Sequence, residues 1–305
     1  MMQLSVVIPV RDQAFPLWIT LSWFAKRLPA ESEIIVVDDG STEDISQVVE
    51  RFQDTMDVRL IRQESSRGRA AARNTGWRHA TGDRILFNDA DRFPAESHVA
   101  GHRDGEDIIY GGIREFYFRN PAELAPTLLD QFCNIQSRAR EPLYPKVMFS
   151  HLFDSAGRLQ SGLGWAIFMS GNVSVPRAAL VDVGGFDEAF VHWGVEHFEL
   201  GYRLAQLGLR FQYTVSSVNY HLAHPRETGF YREALQKSLE YFGTKHPDPV
   251  IQVFGEFLFG RAALQEVERA NGTDGAWVYE HPTPVYFRGF ASSVLATQKP
   301  EVAHD

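Results

Sequence analysis

The chain reads as an α/β fold built on a mostly parallel sheet, and three observations carry that reading. Strand-like and helix-like segments alternate through the first 90 residues, polar residues gather where each strand stops, and a carboxylate pair follows the fourth strand. Residues 4–9 form a short β-branched apolar run, the mark of a buried strand. Residues 14–27 carry apolar positions at helical spacing and stop at Leu28-Pro29. Residues 33–37 are the second strand, ending in Asp38-Asp39-Gly40-Ser41, and Thr42 would cap a helix running towards Phe52. Residues 58–61 are the third strand. Residues 68–80, rich in Ala and Arg, predict a helix stopped by Thr81-Gly82. Residues 84–87 are the fourth strand, and Asn88-Asp89-Ala90-Asp91 follows it directly.

Open parallel sheets bind ligands beyond the carboxyl ends of their strands. Pro9-Val10-Arg11, Asp38-Asp39-Gly40 and Asn88-Asp89-Ala90-Asp91 all stand at such ends, which points to one site. Singly, an Asp-Asp-Gly-Ser run is an ordinary turn and Asp-x-Asp is common in acidic loops. Their order and shared placement favour function. Asp89 and Asp91, two residues apart, would turn the same way and offer hard oxygen ligands to one divalent cation, which can neutralise a diphosphate. No Walker-type loop and no Gly-x-Gly-x-x-Gly fingerprint is present to cradle phosphates instead.

Bulk properties narrow the partners. A chain of 305 residues, 44% hydrophobic and 23% charged, can bury one large core or two small ones. A net charge of −9 argues against a nucleic-acid partner, which favours a basic face. Cys133 is the single cysteine, so no internal disulfide can form, which fits a reducing compartment. The first residues lack a cationic start followed by a long apolar stretch, and no apolar run approaches the roughly 20 residues that span a bilayer. The expectation is a cytoplasmic chain with no transmembrane segment.

The ordered motifs Val6-Val7-Ile8-Pro9, Val36-Val37-Asp38-Asp39-Gly40-Ser41, Arg67-Gly68 with Ala72-Arg73-Asn74-Thr75-Gly76, and Asp89-Ala90-Asp91 carry a resemblance. The chain resembles the family-2 type glycosyltransferases of GT-A fold, over roughly residues 4–224. The resemblance implies a Rossmann-like, mostly parallel sheet flanked by helices. It implies that Pro9, Val10, Arg11, Asp38 and Asp39 hold the nucleoside, with Arg67 and Arg69 near the diphosphate. Asn88, Asp89 and Ala90 would line the nucleotide, and Asp91 would bind the metal, with Asp89 helping directly or through water.

Residues 95–160 show little pattern. Residues 108–110 read as a strand, Phe116-Tyr117-Phe118 as a core or edge strand rather than an aromatic sugar platform, and residues 134–155 as a loop near the substrate. Specific features return at Gly171-Asn172-Val173-Ser174-Val175-Pro176, Gly184-Gly185-Phe186-Asp187-Glu188 and His192-Trp193-Gly194-Val195-Glu196-His197. These are similar to the C-terminal half of the catalytic domain in bacterial chondroitin-type polymerases, β-1,4-galactosyltransferases and polypeptide N-acetylgalactosaminyltransferases. Those enzymes have Trp-Gly-Gly-Glu-Asp, or Glu-Asn, where this chain has Trp193-Gly194-Val195-Glu196-His197. The resemblance implies catalytic roles for His197 and Glu196 at the acceptor proton, and inversion at the anomeric carbon. A histidine can act as base near neutral pH. Members with a non-basic residue there are retaining, so retention is the alternative, and Glu196 is the alternative base. Val195 in place of the second glycine narrows the space beside the sugar. Trp193 would stack on a sugar ring, with Trp165 the second candidate. A helix is expected over 199–207 and a strand over 210–215. His221, 25 residues after Glu196, falls where relatives supply a third metal ligand, and His224 is its competitor. Two carboxylates and an imidazole suit Mn²⁺ and tolerate Mg²⁺.

The expected organisation is a GT-A catalytic domain over 1–225, divided into a nucleotide-binding half (1–95) and an acceptor half (96–225), and a helical extension over 226–305. In that extension residues 226–245 and 250–270 have helical spacing, broken by Pro247-Asp248-Pro249. Its helices would cover the acceptor cleft or form a homodimer face. The implied activity is metal-dependent transfer of a hexosyl or N-acetylhexosaminyl group from a nucleoside-diphosphate sugar, a UDP-sugar, to a carbohydrate, peptide or small-molecule acceptor. One rival is a nucleotidyltransferase, whose Gly-rich signature with a lysine is missing. The other is a non-catalytic nucleotide- or sugar-binding module with a decayed site.

Overall fold

The structure, a computed structural model, describes residues 3–95, 97–103, 107–117, 125–223, 230–272 and 283–287. Its first elements follow the predicted rhythm: β1 (Leu4–Val10), α1 (Ala14–Phe24), β2 (Glu33–Asp38), α2 (Ser46–Glu50), β3 (Val58–Arg62), α3 (Arg69–His79) and β4 (Arg84–Asn88). These four strands lie parallel in the order β3-β2-β1-β4. Continuous β-branched runs suit strands covered on both faces, and every residue of β2 is buried. Val6, Ile8, Val36 and Leu86 pack with Leu17, Leu21 and Phe24 of α1 and Val49 of α2. Helix α2 starts later than Thr42 because Asp12 takes the Thr42 amide and hydroxyl, while Asp44 accepts from the Ser46 hydroxyl and the Gln47 amide.

The chain continues through β5 (Arg92–Pro94), β6 (Ile108–Tyr117), α4 (Ala125–Asp130), α5 (Phe132–Ile135), α6 (Leu143–Leu152), β7 (Asn172–Pro176), α7 (Arg177–Val183), α8 (Glu196–Gln206) and β8 (Phe211–Ala223). Among the described residues the sheet has the order β3-β2-β1-β4-β7-β6-β8-β5. Strand β7 runs antiparallel to β4 and β6, and β5 antiparallel to β8, so the added half is mixed rather than parallel. This register brings Asn88, at the end of β4, opposite Asn172, at the start of β7. Strand β8 extends well beyond the expected 210–215, and His221 stands opposite Arg92 of β5 on one side and Glu115 of β6 on the other.

Two segments differ from expectation. Residues 134–155 contain α6 rather than a loop: Pro142 precedes the helix and Pro145 sits in its first turn, where no intrahelical amide bond is lost. The expected helix over 250–270 is two helices. Phe116 is buried with Phe93, Phe132 and Tyr220, the strand-core alternative, while Tyr117 is exposed and Phe118 lies outside the described residues.

The chain divides into two compact units: Met1–Leu159 with Gly164–Val191 and Glu196–Pro225, and Gln160–Leu163 with His192–Val195 and Arg226–Asp305. The second contains α9 (Phe230–Lys245), α10 (Pro249–Leu258) and α11 (Leu264–Ala270). Asp248 caps α10 by accepting from the Val250 amide, with Pro249 in the first position, and Gly260 at φ 72° follows its end. No helix among the described residues is long and apolar enough to cross a membrane.

Candidate active site

The ends of β1 and β2 form a tied loop system. Asp39 accepts from the Ser66 hydroxyl at 2.8 Å and from the amides of Arg67 and Gly68 at 2.6 and 3.0 Å. Arg11 donates to Ser66 at 2.9 Å, so three separate segments meet there. Asp38 is fully buried and turned inward: it accepts from the Ser41 amide at 2.8 Å and pairs with Arg62 at 3.1 Å. Its carboxylate shapes the turn. Val10 is buried, whereas Arg11, Arg67 and Arg69 are exposed and carry positive charge at this edge.

Asn88 and Ala90 are also buried and build the next turn. The Asn88 amide donates to the carbonyls of Asp89 and Arg92, and Thr20 donates to the Ala90 carbonyl. The two aspartates they flank face different partners. Asp89 is gripped by two guanidinium groups, Arg73 at 3.0 Å and Arg92 at 3.1 Å. Burial pushes its pKa up, but the cations Arg73, Arg92 and Arg69 outweigh this and hold it far down. Gly171 makes room for the pair, because a Cβ there would lie 2.7 Å from the Asp89 Oδ2 and 2.5 Å from the Arg92 Nε.

Asp91 meets His221 instead. Its Oδ2 lies 3.3 Å from the His221 Nε2 and 3.2 Å from the Gln13 side-chain amide. The other ring nitrogen, Nδ1, lies 3.1 Å from Glu115 Oε1. Burial raises the Asp91 pKa while His221 lowers it, and the balance is downward. For His221, burial and Arg92 favour the neutral ring, but Asp91 and Glu115 outweigh them and raise its pKa. Among the described residues no group of three or more His, Cys, Asp or Glu side chains is placed to hold a metal ion. Asp91 and His221 nonetheless fit a shared cation: one carboxylate and one imidazole nitrogen face each other, and the imidazole's far side is held by a carboxylate. His224 lies outside the described residues.

Helix α8 opens with Glu196 and His197. Glu196 Oε1 lies 3.2 Å from the Arg73 Nη1 and 3.7 Å from the His197 Nδ1, and its Oε2 is buried without a hydrogen-bond partner among the described residues. Burial pushes the Glu196 pKa up, but His197, Arg73 and Arg69 bring it down to about 2. Arg73 thus bridges Asp89 and Glu196 with its two terminal nitrogens, stacked 5.5 Å over the Phe186 ring. Next to it, Asn74 clamps the Gly-Gly-Phe-Asp-Glu turn: it exchanges hydrogen bonds with the Phe186 backbone and donates to Glu188. Gly185, at φ 78°, leaves no room for a side chain beside Asn74.

Trp165 is a core residue, packed edge-on against Tyr202 at 5.6 Å. Trp193 and Val195 belong to the second unit. There the Trp193 carbonyl accepts from Ser238, and Val195 is fully buried at φ 56°, a strained conformation for a β-branched residue. Motif spacing in the sequence does not single out Gln13, Arg73 or Glu115. Arg73 alone had a signal, its place beside Asn74 in the Arg/Gly-rich helix.

A parallel nucleotide-type half sheet, extended by mixed strands and carrying Asp-x-Asp at the join, defines the GT-A class. The chain belongs to glycosyl transferase family 2, whose pattern matches residues 5–160, and residues 151–225 match the pattern described as N-terminal domain of galactosyltransferase. Similar curated proteins include the uncharacterized glycosyltransferase YfnE of Bacillus subtilis, 28% identical over 73% of this chain and 66% of that protein. Validoxylamine A glucosyltransferase of Streptomyces hygroscopicus subsp. jinggangensis is 30% identical over 82% and 63%, and hyaluronan synthase of Pasteurella multocida 31% over 76% and 26%. The chain therefore spans from about a quarter to about two thirds of the length of these relatives. In fold it is similar to mannosyltransferase PcManGT of Pyrobaculum calidifontis, solved with GDP-Man and Mn²⁺, with TM-score 0.58 and 18% identity, covering 97% of this chain and 81% of that one. GalNAc-T7, solved with UDP, GalNAc and Mn²⁺, gives TM-score 0.54 and 17% identity, covering 97% and 57%.

Proposed function

We propose that this protein transfers a hexosyl or N-acetylhexosaminyl group from a UDP-sugar to a carbohydrate, peptide or small-molecule acceptor, with Mn²⁺ or Mg²⁺ held by Asp91 and His221. The observation that carries the proposal is the 3.3 Å approach of His221 to Asp91 beside an Asp89 already neutralised by Arg73 and Arg92. Family membership, the GDP-Man named with PcManGT and the UDP named with GalNAc-T7 support a nucleotide-sugar donor. Pro9, Val10, Arg11 and Asp39 form the nucleoside side, Asp38 acting through its turn, and Arg67 and Arg69 take the diphosphate. A bound cation spreads the negative charge that develops on the leaving diphosphate.

His197 takes the proton from the acceptor hydroxyl. A carboxylate with a pKa of about 2 is too weak a base, so Glu196 serves by stabilising the protonated imidazole beside it. The acceptor oxygen bonds to the anomeric carbon as that carbon's bond to the β-phosphate oxygen breaks, giving inverted product and UDP. The test is turnover of UDP-hexoses and UDP-N-acetylhexosamines with Mn²⁺ or EDTA, reading nucleotide release and product anomer by NMR. UDP release that needs the metal, with inverted product, is expected. Pyrophosphate release would overturn the reaction class, undiminished turnover in EDTA the metal dependence, and retained configuration the role of His197.

A further inference from the structure

We propose that Glu115 is a positioning residue for His221, fixing which ring nitrogen faces the cation, and that Tyr117 holds Glu115 in place. The proposal rests on the assignment of Asp91 and His221 to the metal.

A histidine nitrogen binds metal only when it carries no proton, so the ring's remaining proton must sit on the other nitrogen and needs an acceptor there. In His221 the nitrogen facing Asp91 is Nε2, and Nδ1 faces Glu115 Oε1 at 3.1 Å. The contact is built into the sheet, because Glu115 and His221 stand opposite one another on the parallel strands β6 and β8. The carboxylate is itself oriented. Its second oxygen accepts from the Tyr117 hydroxyl at 2.8 Å, and its backbone exchanges two hydrogen bonds with Arg140, at 2.7 and 2.9 Å. Tyr117 leaves 71% of its surface to solvent while its hydroxyl turns to Glu115. A carboxylate behind the ring also strengthens the opposite nitrogen as a ligand, and removing such a partner typically costs about 10- to 100-fold in metal affinity.

The test is a Mn²⁺ titration at saturating UDP for Glu115→Ala, Glu115→Gln and Tyr117→Phe, with Asp91→Ala and His221→Ala alongside. Glu115→Ala is expected to weaken Mn²⁺ binding by about 10- to 100-fold. Glu115→Gln should lose less, because its amide oxygen still accepts the Nδ1 proton, and Tyr117→Phe least. UDP binding in EDTA should stay at the wild-type level in all three. Mn²⁺ affinity within about twofold of wild type in both Glu115 variants, while Asp91→Ala and His221→Ala abolish binding, would overturn the role of Glu115 alone. Unchanged Mn²⁺ binding in Asp91→Ala and His221→Ala would overturn the metal assignment and this proposal with it. An equal loss of UDP binding in EDTA would make Glu115 a structural residue and overturn the proposal too.

Discussion

One guanidinium joins the two halves of the site. Arg73 is buried and spends both terminal nitrogens on carboxylates 16 and 123 residues away in the chain, Asp89 and Glu196. Without it the buried Glu196 carboxylate and the half-buried Asp89 carboxylate would share one region with less compensation. Breaking such a pair costs on the order of 3–5 kcal/mol. Lysine keeps the charge but not the two-pronged geometry. Arg73→Lys is therefore expected to fold and bind UDP, and to lose at least about tenfold in kcat, which steady-state kinetics would read. His197→Gln should lose about 100-fold or more in kcat, the usual worth of a general base, with UDP-sugar KM little changed. An unaltered kcat would remove His197 from the chemistry.

At the scale of elements, the join between α3 and the Gly-Gly-Phe-Asp-Glu turn is a hydrogen-bond clamp centred on Asn74. Its side chain satisfies the Phe186 amide and carbonyl and the Trp77 indole, all buried. Asn74→Ala strands those groups, so urea unfolding should show a loss of about 2–4 kcal/mol. The strand-end motifs were legible in the sequence because each is local: an apolar run, then turn residues. The Asp-x-Asp pair was legible as well, although its two carboxylates serve different partners. Glu115 was not legible, because its meaning depends on a register between β6 and β8 that joins positions 106 residues apart. Helix α6 was hidden by two prolines, Pro142 just before it and Pro145 in its first turn. The turn role of Asp38 was hidden because burial has no marker in an Asp-Asp-Gly-Ser run.

For the whole molecule, a buried histidine pair weakens the fold as pH falls, whereas His221, whose pKa is raised, acts in the opposite direction. His98 and His102 both contact Asn172 Oδ1, at 2.8 and 3.0 Å, and Asn172 donates in turn to carbonyls of β6 and β8. Burial pushes the His98 pKa down to about 4, with the Asn172 bond opposing it, and burial with the neighbouring His98 drives His102 well down. Unfolded imidazoles take protons near pH 6.5 and the folded ones do not. Between that value and about 4 the unfolded chain binds more protons, so stability is full above about pH 6.5 and falls as pH drops. His98 alone should cost about 2 kcal/mol between pH 7 and 5, read by urea unfolding at both values. A flat profile would contradict the neutral pair. The proposed activity rests on the meeting of Asp91 and His221 at a metal that carries the nucleotide. Calorimetric titration of UDP into wild type and Asp91→Ala, each with Mn²⁺ and with EDTA, tests it most directly. Tight binding is expected only in wild type with Mn²⁺. Equal binding by the variant, or binding in EDTA as tight as with Mn²⁺, would contradict it.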